Sequence, residues 1–401
     1  MSSEVTVREV RVVATQPEGT PLVTVKVVTS EPGLYGVGCA TFTQRWQAVV
    51  AALESHLAPL AVGRPVNRIE DFWHVAMHNG YWRNGPIQNN AISGLDQALW
   101  DIKGKMAGMS VADLLGGPCR EAARVYVHAS GDTPEAVLES ALDLEDQGYR
   151  YIRVQQGGYG GKGHALHQPA GAVGGAYYDP REYCRETLVM LAHVRGAMGD
   201  RVELLHDIHE RLQPVHAVEF ARRIDEFGLF FLEDALAPED IEWFDQLRAH
   251  SATPVAMGEL FNHPLEWTPL IERRQVDYLR MHVSQIGGIT PARQVVLQAL
   301  PYNIKTAWHG PGDTSPVGHA ANLQLDLWAP NFGIQEWCRF GDAAREVFPG
   351  TPAVRNGYLY PNDGPGLGID IDEQAAARWP CDTRVIDWTQ TRWPDGTPVR
   401  P

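Results

Sequence analysis

The chain has 401 residues and a net charge of −15, from 34 Lys and Arg against 49 Asp and Glu. This acidic balance argues against a nucleic-acid-binding surface, which shows as a basic excess, and against attraction to anionic membranes. With 44% hydrophobic residues the chain can bury a large core, which excludes wholesale disorder. The length allows two or three domains, or one large α/β barrel with a smaller domain.

We expect no export or membrane segment. The N-terminus lacks the apolar core of a signal peptide, and no stretch approaches the ~18 apolar residues of a spanning helix. The cysteines are scattered, odd in number and never in CxxC spacing, which predicts reduced thiols in a cytoplasmic protein rather than disulfides or a zinc site. They are Cys39, Cys119, Cys184, Cys338 and Cys381.

The first part of the chain is predicted to be an α+β unit. Apolar runs between Gly and Pro residues predict strands over residues 5–13, 22–29 and 35–40. Apolar residues at three- and four-residue spacing then predict the strongest helix, over residues 89–107.

From residue 118 onward, short apolar strands alternate with longer helical stretches. Strands are predicted over 124–128, 151–155, 202–207, 229–233, 254–258, 276–282, 304–308 and 332–336. Helices are predicted over 134–147, 182–197, 214–227, 238–250, 264–273 and 291–300, with the helix of the eighth unit near 342–347. Eight strand–helix units indicate a closed (β/α)8 barrel of the TIM type rather than an open sheet. Residues 350–401, rich in Pro, Gly and Trp, are expected to run back against the first part.

A long glycine-rich stretch, residues 157–178, follows the second predicted barrel strand. A loop of this length inside a compact domain is usually functional or disordered. Its position at the carboxyl end of a barrel strand favours an active-site lid over an insertion without function.

Acidic side chains end three successive barrel strands. Asp207, Glu233 and Glu259 are separated by 26 residues at each step, which is one strand–helix unit. Because adjacent parallel strands end on one side of a barrel, the three carboxylates are expected to converge, and like charges that close require a cation. A few carboxylate ligands suit Mg²⁺, and Mn²⁺ is chemically possible. The alternative, three unrelated solvated acids, does not explain their register with the repeat.

Two histidines follow barrel strand ends. His209 lies two residues after Asp207, so strand alternation would put both side chains on one side, where His209 would serve as general acid or base. His309 ends the seventh strand in a glycine-rich turn, and Asp313 would orient it or bind substrate. Histidines on two sides of a metal-bound substrate suit proton removal and delivery. A lone histidine, however, is more often structural.

Further polar side chains lie near other strand ends. His128, Arg280 and Glu336 are near the ends of the first, sixth and eighth strands, and Arg280 would serve equally well to pair with a metal-binding carboxylate. Arg153, on the second strand, precedes Tyr159 in the loop. An arginine beside a phenol lowers its pKa, so the phenolate can act as a base. The alternative is a salt bridge for Arg153 and loop packing for Tyr159.

Taken together, these residues resemble the enolase superfamily, with its mandelate racemase and muconate lactonizing enzyme-like members. Within it, the chain most closely resembles the mannonate dehydratase family, some of whose members are described as starvation-sensing proteins. The matching strings span about residues 84 to 373. They are NNAISGLDQALWDIKGKMAG, VYVHASG, YRYIRVQ, HDIHERL, FFLEDAL, MGELFNHP, HVSQIGGITPARQ, WHGPGDTSPVGHAANLQLDL, FGIQEW and GPGLGIDIDE.

The resemblance implies a fold, a cofactor and a reaction. The fold would be a modified barrel, (β/α)7β, over residues 118–369, capped by an α+β domain of residues 1–117 and the tail from about 370 to 401. Asp207, Glu233 and Glu259 would hold one Mg²⁺. The reaction would be that of a hydro-lyase, which removes the C2 proton of D-mannonate or D-gluconate and eliminates the 3-hydroxyl to give 2-keto-3-deoxygluconate. A homo-oligomer acting on a small acid sugar is also implied.

The resemblance also implies roles for individual residues. Arg153 with a loop tyrosine would form the base, and His209 would serve the leaving group. The substrate site would be lined by His128, Arg280, His309, Asp313 and Glu336. Ala165 stands where the family has its tyrosine, which makes Tyr159 the candidate replacement, with Tyr177 or Tyr178 as alternatives. Two alternatives stay open: dehydration or epimerisation of another carboxylate, and a catalytically weak relative that binds a sugar acid.

Overall fold

The structure is a computed structural model that describes residues 4–158, 169–384 and 386–401. The chain divides into two compact units, each assembled from several stretches. The first unit comprises Met1–Arg124, Glu259–Thr268 and Arg280–Thr383, and the second comprises Val125–Gly258, Pro269–Leu279 and Arg384–Pro401. Within the described residues, every helix is too short or too polar to cross a membrane.

The strands are numbered in chain order. They are β1 Val7–Thr15, β2 Leu22–Thr29, β3 Tyr35–Cys39, β4 Ala123–Gly131, β5 Tyr151–Gln156, β6 Ala176–Tyr177, β7 Glu203–Asp207, β8 Phe231–Glu233, β9 Val255–Met257, β10 Tyr278–Leu279, β11 Lys305–Thr306, β12 Gln335–Glu336, β13 Ala353–Arg355, β14 Tyr358–Tyr360 and β15 Thr391–Arg392.

The α-helices are numbered in the same way. They are α1 Trp46–Ala52, α2 Ala58–Ala61, α3 Ile69–His78, α4 Pro86–Ala107, α5 Val111–Leu115, α6 Pro134–Asp146, α7 Pro180–Met198, α8 Pro214–Ile224, α9 Phe244–His250, α10 Pro264–Glu272, α11 Ile289–Ala299, α12 Pro316–Trp328, α13 Asp342–Val347 and α14 Glu373–Ala376.

In the first unit, β1, β2 and β3 form an antiparallel sheet that packs against α4. The packing is close because β3 carries glycine: a Cβ on Gly38 would lie only 2.8 Å from the Ala98 nitrogen. The buried Asp101 of α4 fastens the helix to the strand, since its Oδ2 accepts the Val37 N–H at 3.0 Å. The sheet and the helix therefore form one packed layer pair.

The C-terminal region adds to the same sheet. Asp101 Oδ1 accepts the Leu367 N–H at 2.8 Å, and Thr15 Oγ1 donates to the Ala376 carbonyl at 3.0 Å. Residues 367–376 therefore lie against the first sheet. Arg384–Pro401 belongs to the second unit, where β15 pairs with β6, so the predicted boundaries of the capping domain stay a prediction.

The second unit is built on a parallel sheet. β4, β5, β7, β8, β9 and β10 pair in that order, all parallel. Along the chain, eight strand–helix pairs run from β4 with α6 to β12 with α13, which confirms the predicted order of elements.

The structure also corrects the sequence prediction. The strand predicted over 276–282 is only the two residues of β10, and α12 occupies residues where no helix was predicted. Every residue of α12 is buried, including the polar His319, Asn322 and Asp326, so this helix has no solvent-exposed side of the kind that makes most helices recognisable.

Candidate active site

An acidic cluster lies at the ends of β7 and β8 in the second unit. The strand register sets Asp207 directly beside Glu233, and Asp234 follows. One carboxylate oxygen from each of the three lies within 4.8 Å of the others, and all three side chains are buried. Buried carboxylates this close repel one another, and they offer the hard oxygen ligands that Mg²⁺ prefers.

Asp234 is the member of the cluster that the sequence did not predict. Strand alternation would direct it away from Glu233, but its backbone is left-handed, with φ of 39°. Its Oδ1 also accepts the Gly258 N–H at 3.1 Å, which ties the end of β8 to the segment after β9. Glu259, the third ligand predicted from the sequence, belongs to the first unit.

Arg153 on β5 supplies the positive charge of the cluster. Its guanidinium bonds to Glu233, and Nη1 lies 3.3 Å from Asp207 Oδ2. Nη2 lies 3.3 Å from His128 Nδ1. Among the residues that the structure describes, the three buried carboxylates outnumber the guanidinium of Arg153, so the donor set fits a divalent cation. Tyr159, the predicted phenol partner of Arg153, lies outside the described residues.

Tyr126 on β4 is a further member of the site. Its buried hydroxyl donates to Glu233 Oε2 at 3.1 Å. The sequence did not predict Tyr126 as part of the site. Because Tyr126 lies two residues before His128 on β4, strand alternation would have placed both side chains on the same side.

His209 contacts Asp207 through a turn rather than a strand. β7 ends at Asp207, and His209 is left-handed with φ of 55°, so the alternation argument does not apply to it. The His209 N–H nevertheless donates to Asp207 Oδ1 at 2.6 Å, and Nδ1 lies 3.4 Å from Oδ2. The imidazole also lies beside Trp388, with ring centroids 6.0 Å apart.

A buried polar network holds the backbone of Asp207 from behind. The Tyr183 hydroxyl lies 2.8 Å from His206 Nε2 and 3.4 Å from the Asp207 carbonyl. His206 Nδ1 lies 2.8 Å from the Val154 carbonyl, and burial lowers the pKa of His206 to about 4. Arg211 Nη2 donates to the Asp207 carbonyl at 3.4 Å and stacks on the Tyr183 ring. The strand end is therefore fixed before any ligand binds.

A second group of predicted residues meets in the first unit, around the buried Arg280. Arg280 Nη1 donates to Glu259 Oε2 at 2.6 Å, and Nη2 donates to Glu336 Oε2 at 2.5 Å. The sequence also allows Arg280 to pair with a predicted metal-binding carboxylate, and its contact with Glu259 is of that kind.

His309 lies beside the same two glutamates. Its Nδ1 is 3.2 Å from Glu259 Oε2 and 3.5 Å from Glu336 Oε2, and its Nε2 is 3.3 Å from Asp313 Oδ1. Burial lowers the pKa of His309, but the charge of Glu259 and the hydrogen bonds with Asp313 and Glu259 outweigh it and raise the pKa to about 10. This contact would let Asp313 orient His309, and both predicted roles of Asp313, orienting His309 and binding substrate, stay predictions.

The turn that carries His309 is also held in place. Asn322 Nδ2 donates to the His309 carbonyl at 3.0 Å, and the Gly310 N–H donates to Glu336 Oε2 at 2.9 Å. A Cβ at Gly310 would lie 2.5 Å from the Glu336 carbonyl oxygen, so only glycine fits this approach.

The predicted site residues thus fall into two groups, one in each unit. The group in the second unit is Arg153, Asp207, Glu233, His128 and His209. The group in the first unit is Glu259, Arg280, His309, Asp313 and Glu336.

Comparison with known proteins gives the family. The mandelate racemase / muconate lactonizing enzyme N-terminal domain matches residues 2–116, and the enolase C-terminal domain-like family matches residues 136–375. A D-galactonate dehydratase family member from Enterococcus gallinarum is 50% identical over 402 residues, covering 100% of both chains. One from Salmonella enteritidis is 48% identical, covering 100% of this chain and 99% of the relative.

A solved structure shows the same fold. The crystal structure of an enolase from Pantoea ananatis with bound D-gluconate and Mg is 49% identical, with a TM-score of 0.97, covering 99% of this chain and 100% of that one. These matches confirm the predicted fold class, an N-terminal capping domain with a TIM-barrel-like C-terminal domain. The chain belongs to the enolase superfamily and, within it, to the D-galactonate dehydratase family.

Proposed function

We propose that the protein is a Mg²⁺-dependent dehydratase of acid sugars. It would remove the C2 proton of D-mannonate or D-gluconate and eliminate the 3-hydroxyl to give 2-keto-3-deoxygluconate. The observation that carries this proposal is the buried acidic cluster of Asp207, Glu233 and Asp234. The D-gluconate and Mg bound to the Pantoea ananatis protein support it, and the names of the relatives make D-galactonate a third candidate substrate.

Asp207, Glu233 and Glu259 are the proposed metal ligands. The first two are supported by their adjacent positions in the sheet, and Glu259 by its place two residues after β9, the strand that pairs with β8. Asp234 is better suited to hold the turn, because its Oδ1 accepts a backbone N–H. Mg²⁺, when bound, would stabilise the negative charge that develops on the substrate carboxylate as the C2 proton leaves.

His209 is the proposed proton donor to the departing hydroxyl. Its contact with Asp207 orients the ring, and its side chain stays 18% exposed, so substrate can reach it. Arg153 is the proposed partner of a tyrosine base at Tyr159, since a guanidinium held by Glu233 would lower the pKa of a nearby phenol. The proposed substrate contacts are His128, Arg280, His309, Asp313 and Glu336.

The test is turnover on a panel of sugar acids. D-mannonate, D-gluconate and D-galactonate would be incubated with the protein and Mg²⁺, and the 2-keto-3-deoxy product measured together with deuterium incorporation at C2 in D₂O. Product from at least one acid is expected. The absence of both product and exchange with every acid would overturn the proposal.

Glu233→Gln tests the metal site without relying on turnover. Calorimetric titration with Mg²⁺ is expected to show saturable binding to the natural chain and at least a hundredfold weaker binding to the variant, because one ligand charge is lost. Glu226→Gln makes the same change at an exposed position and should bind Mg²⁺ normally. Equal Mg²⁺ affinity in both variants would refute the assignment of Glu233.

A further inference from the structure

We propose that a cavity between α7 and α8 binds a small organic dianion, bearing either a phosphate or two carboxylates. This site lies outside both groups described above and goes beyond the proposed dehydration. The cavity measures about 340 Å³, within the range of small-molecule sites and too small for a protein or nucleic-acid segment.

The charge of the cavity lining indicates an anion. Arg181 and Arg185 lie one turn apart on α7, and Arg223 lines the cavity from α8, whereas Glu219 is the acidic residue among the lining side chains. Three guanidiniums against one carboxylate leave two positive charges in a chain whose net charge is −15. Guanidinium groups bind phosphate and carboxylate through paired hydrogen bonds, so the lining chemistry matches a dianion.

The three guanidiniums are not engaged in ion pairs within the described residues. Within residues 4–158, 169–384 and 386–401, none of the three forms an ion pair, although Arg195 and Arg201 of the same region are bonded to backbone or to glutamate. All three arginines are exposed, and without a carboxylate partner their guanidiniums remain available to a ligand in the cavity.

His216, in the first turn of α8, also lines the cavity. Its Nδ1 is buried, and among the described residues it has no hydrogen-bond partner. This nitrogen has almost no accessible surface, so the guanidiniums, and not this nitrogen, would hold a ligand in the cavity.

The cavity lining also includes the uncharged side chains of Phe220 and Cys184. Phe220 packs against Tyr183 and His206, with ring centroids 6.0 and 6.1 Å away. Cys184 also lines the cavity, and burial raises the pKa of its thiol to about 12, so the thiol carries no charge that would repel an anion. The apolar part of a small ligand can therefore contact Phe220 and Cys184 while its anionic group binds the arginines.

The test is calorimetric titration of the full chain with two probes, inorganic phosphate and malonate, at constant ionic strength. Saturable binding of at least one probe is expected, and which probe binds more tightly distinguishes a phosphate ligand from a dicarboxylate. Arg223→Gln should weaken that binding at least tenfold. Arg222→Gln, the same change one residue earlier, removes an arginine that is exposed like Arg223 but lies outside the cavity lining, and it should alter binding less than twofold.

Three outcomes would overturn the proposal. The first is that neither probe binds saturably. The second is that binding survives in Arg223→Gln, which would assign the ion to another part of the molecule. The third is that Arg222→Gln weakens binding as much as Arg223→Gln, which would mean that only general surface charge is involved. Circular dichroism of both variants confirms that each is folded.

Discussion

Tyr126→Phe removes one hydroxyl from behind the acidic cluster and leaves the aromatic ring in place. That hydroxyl donates to Glu233 Oε2 at 3.1 Å, in a site where both side chains are buried. A hydrogen bond to a charged group contributes about 1.5–3 kcal/mol, and loss of a partner that orients a metal ligand typically costs about 10- to 100-fold in metal affinity. Since tenfold corresponds to about 1.4 kcal/mol, the two estimates agree. We therefore expect Mg²⁺ to bind the variant roughly 10- to 100-fold more weakly.

The assay is calorimetric titration with Mg²⁺, with circular dichroism to verify the fold. The control is Tyr358→Phe, the same chemical change on β14, where the side chain is 49% exposed and far in sequence from the cluster. This control should bind Mg²⁺ as the natural chain does. If Tyr126→Phe also binds Mg²⁺ within twofold of the natural chain, then the Tyr126 hydroxyl does not orient a metal ligand, and the reasoning from its geometry is wrong.

Two further predictions concern the polar residues around the His309 turn. Asn322→Leu deletes the donor to the His309 carbonyl and should destabilise the protein by about 1–3 kcal/mol, lowering both the melting temperature and kcat/KM; a variant with unchanged values would contradict that role. Burial lowers the pKa of His319 from its ordinary value of 6.5 to about 4 in the folded protein. As the pH falls below about 6.5, the unfolded chain is therefore protonated at this residue before the folded protein is, and about 3 kcal/mol of stability is lost by pH 4. His319→Phe should therefore lose less melting temperature between pH 7 and 5 than the natural chain, while the exposed His250→Gln should follow the natural chain; equal losses in all three would refute the assignment.

The sequence predicted the strand-end residues because barrel geometry leaves little freedom there. Parallel strands end on the same side, so Asp207 and Glu233, one strand–helix unit apart, had to become neighbours. The predicted order of elements was confirmed because most of the apolar strands are followed by a helix of recognisable period; α12, after β11, is the exception.

The parts that the sequence did not predict depend on local backbone conformation or on complete burial. Asp234 joins the cluster and His209 stays near Asp207 because both have positive φ. Asp and His adopt positive φ more often than most residues, but still too rarely for the sequence to predict it at a given position. The helix α12 was not predicted because helices are recognised by the contrast between a buried and a solvent-exposed face, and every residue of α12 is buried. The lid proposed for residues 157–178 stays a prediction, as does the role of Tyr159.

The single carboxylate of Asp101 also constrains when the protein can finish folding during synthesis. It bonds to Val37 of the first sheet and to Leu367, which is 266 residues further along the chain. At about 5–20 residues per second, a ribosome needs roughly 13–50 s to travel that distance. During that interval the carboxylate of Asp101 lacks the backbone N–H of Leu367 as a partner. The side of the first sheet that residues 367–376 later cover is also still exposed. A chain that stalls in its last tenth would therefore carry an incomplete N-terminal layer, so early release exposes the beginning of the protein as well as its end.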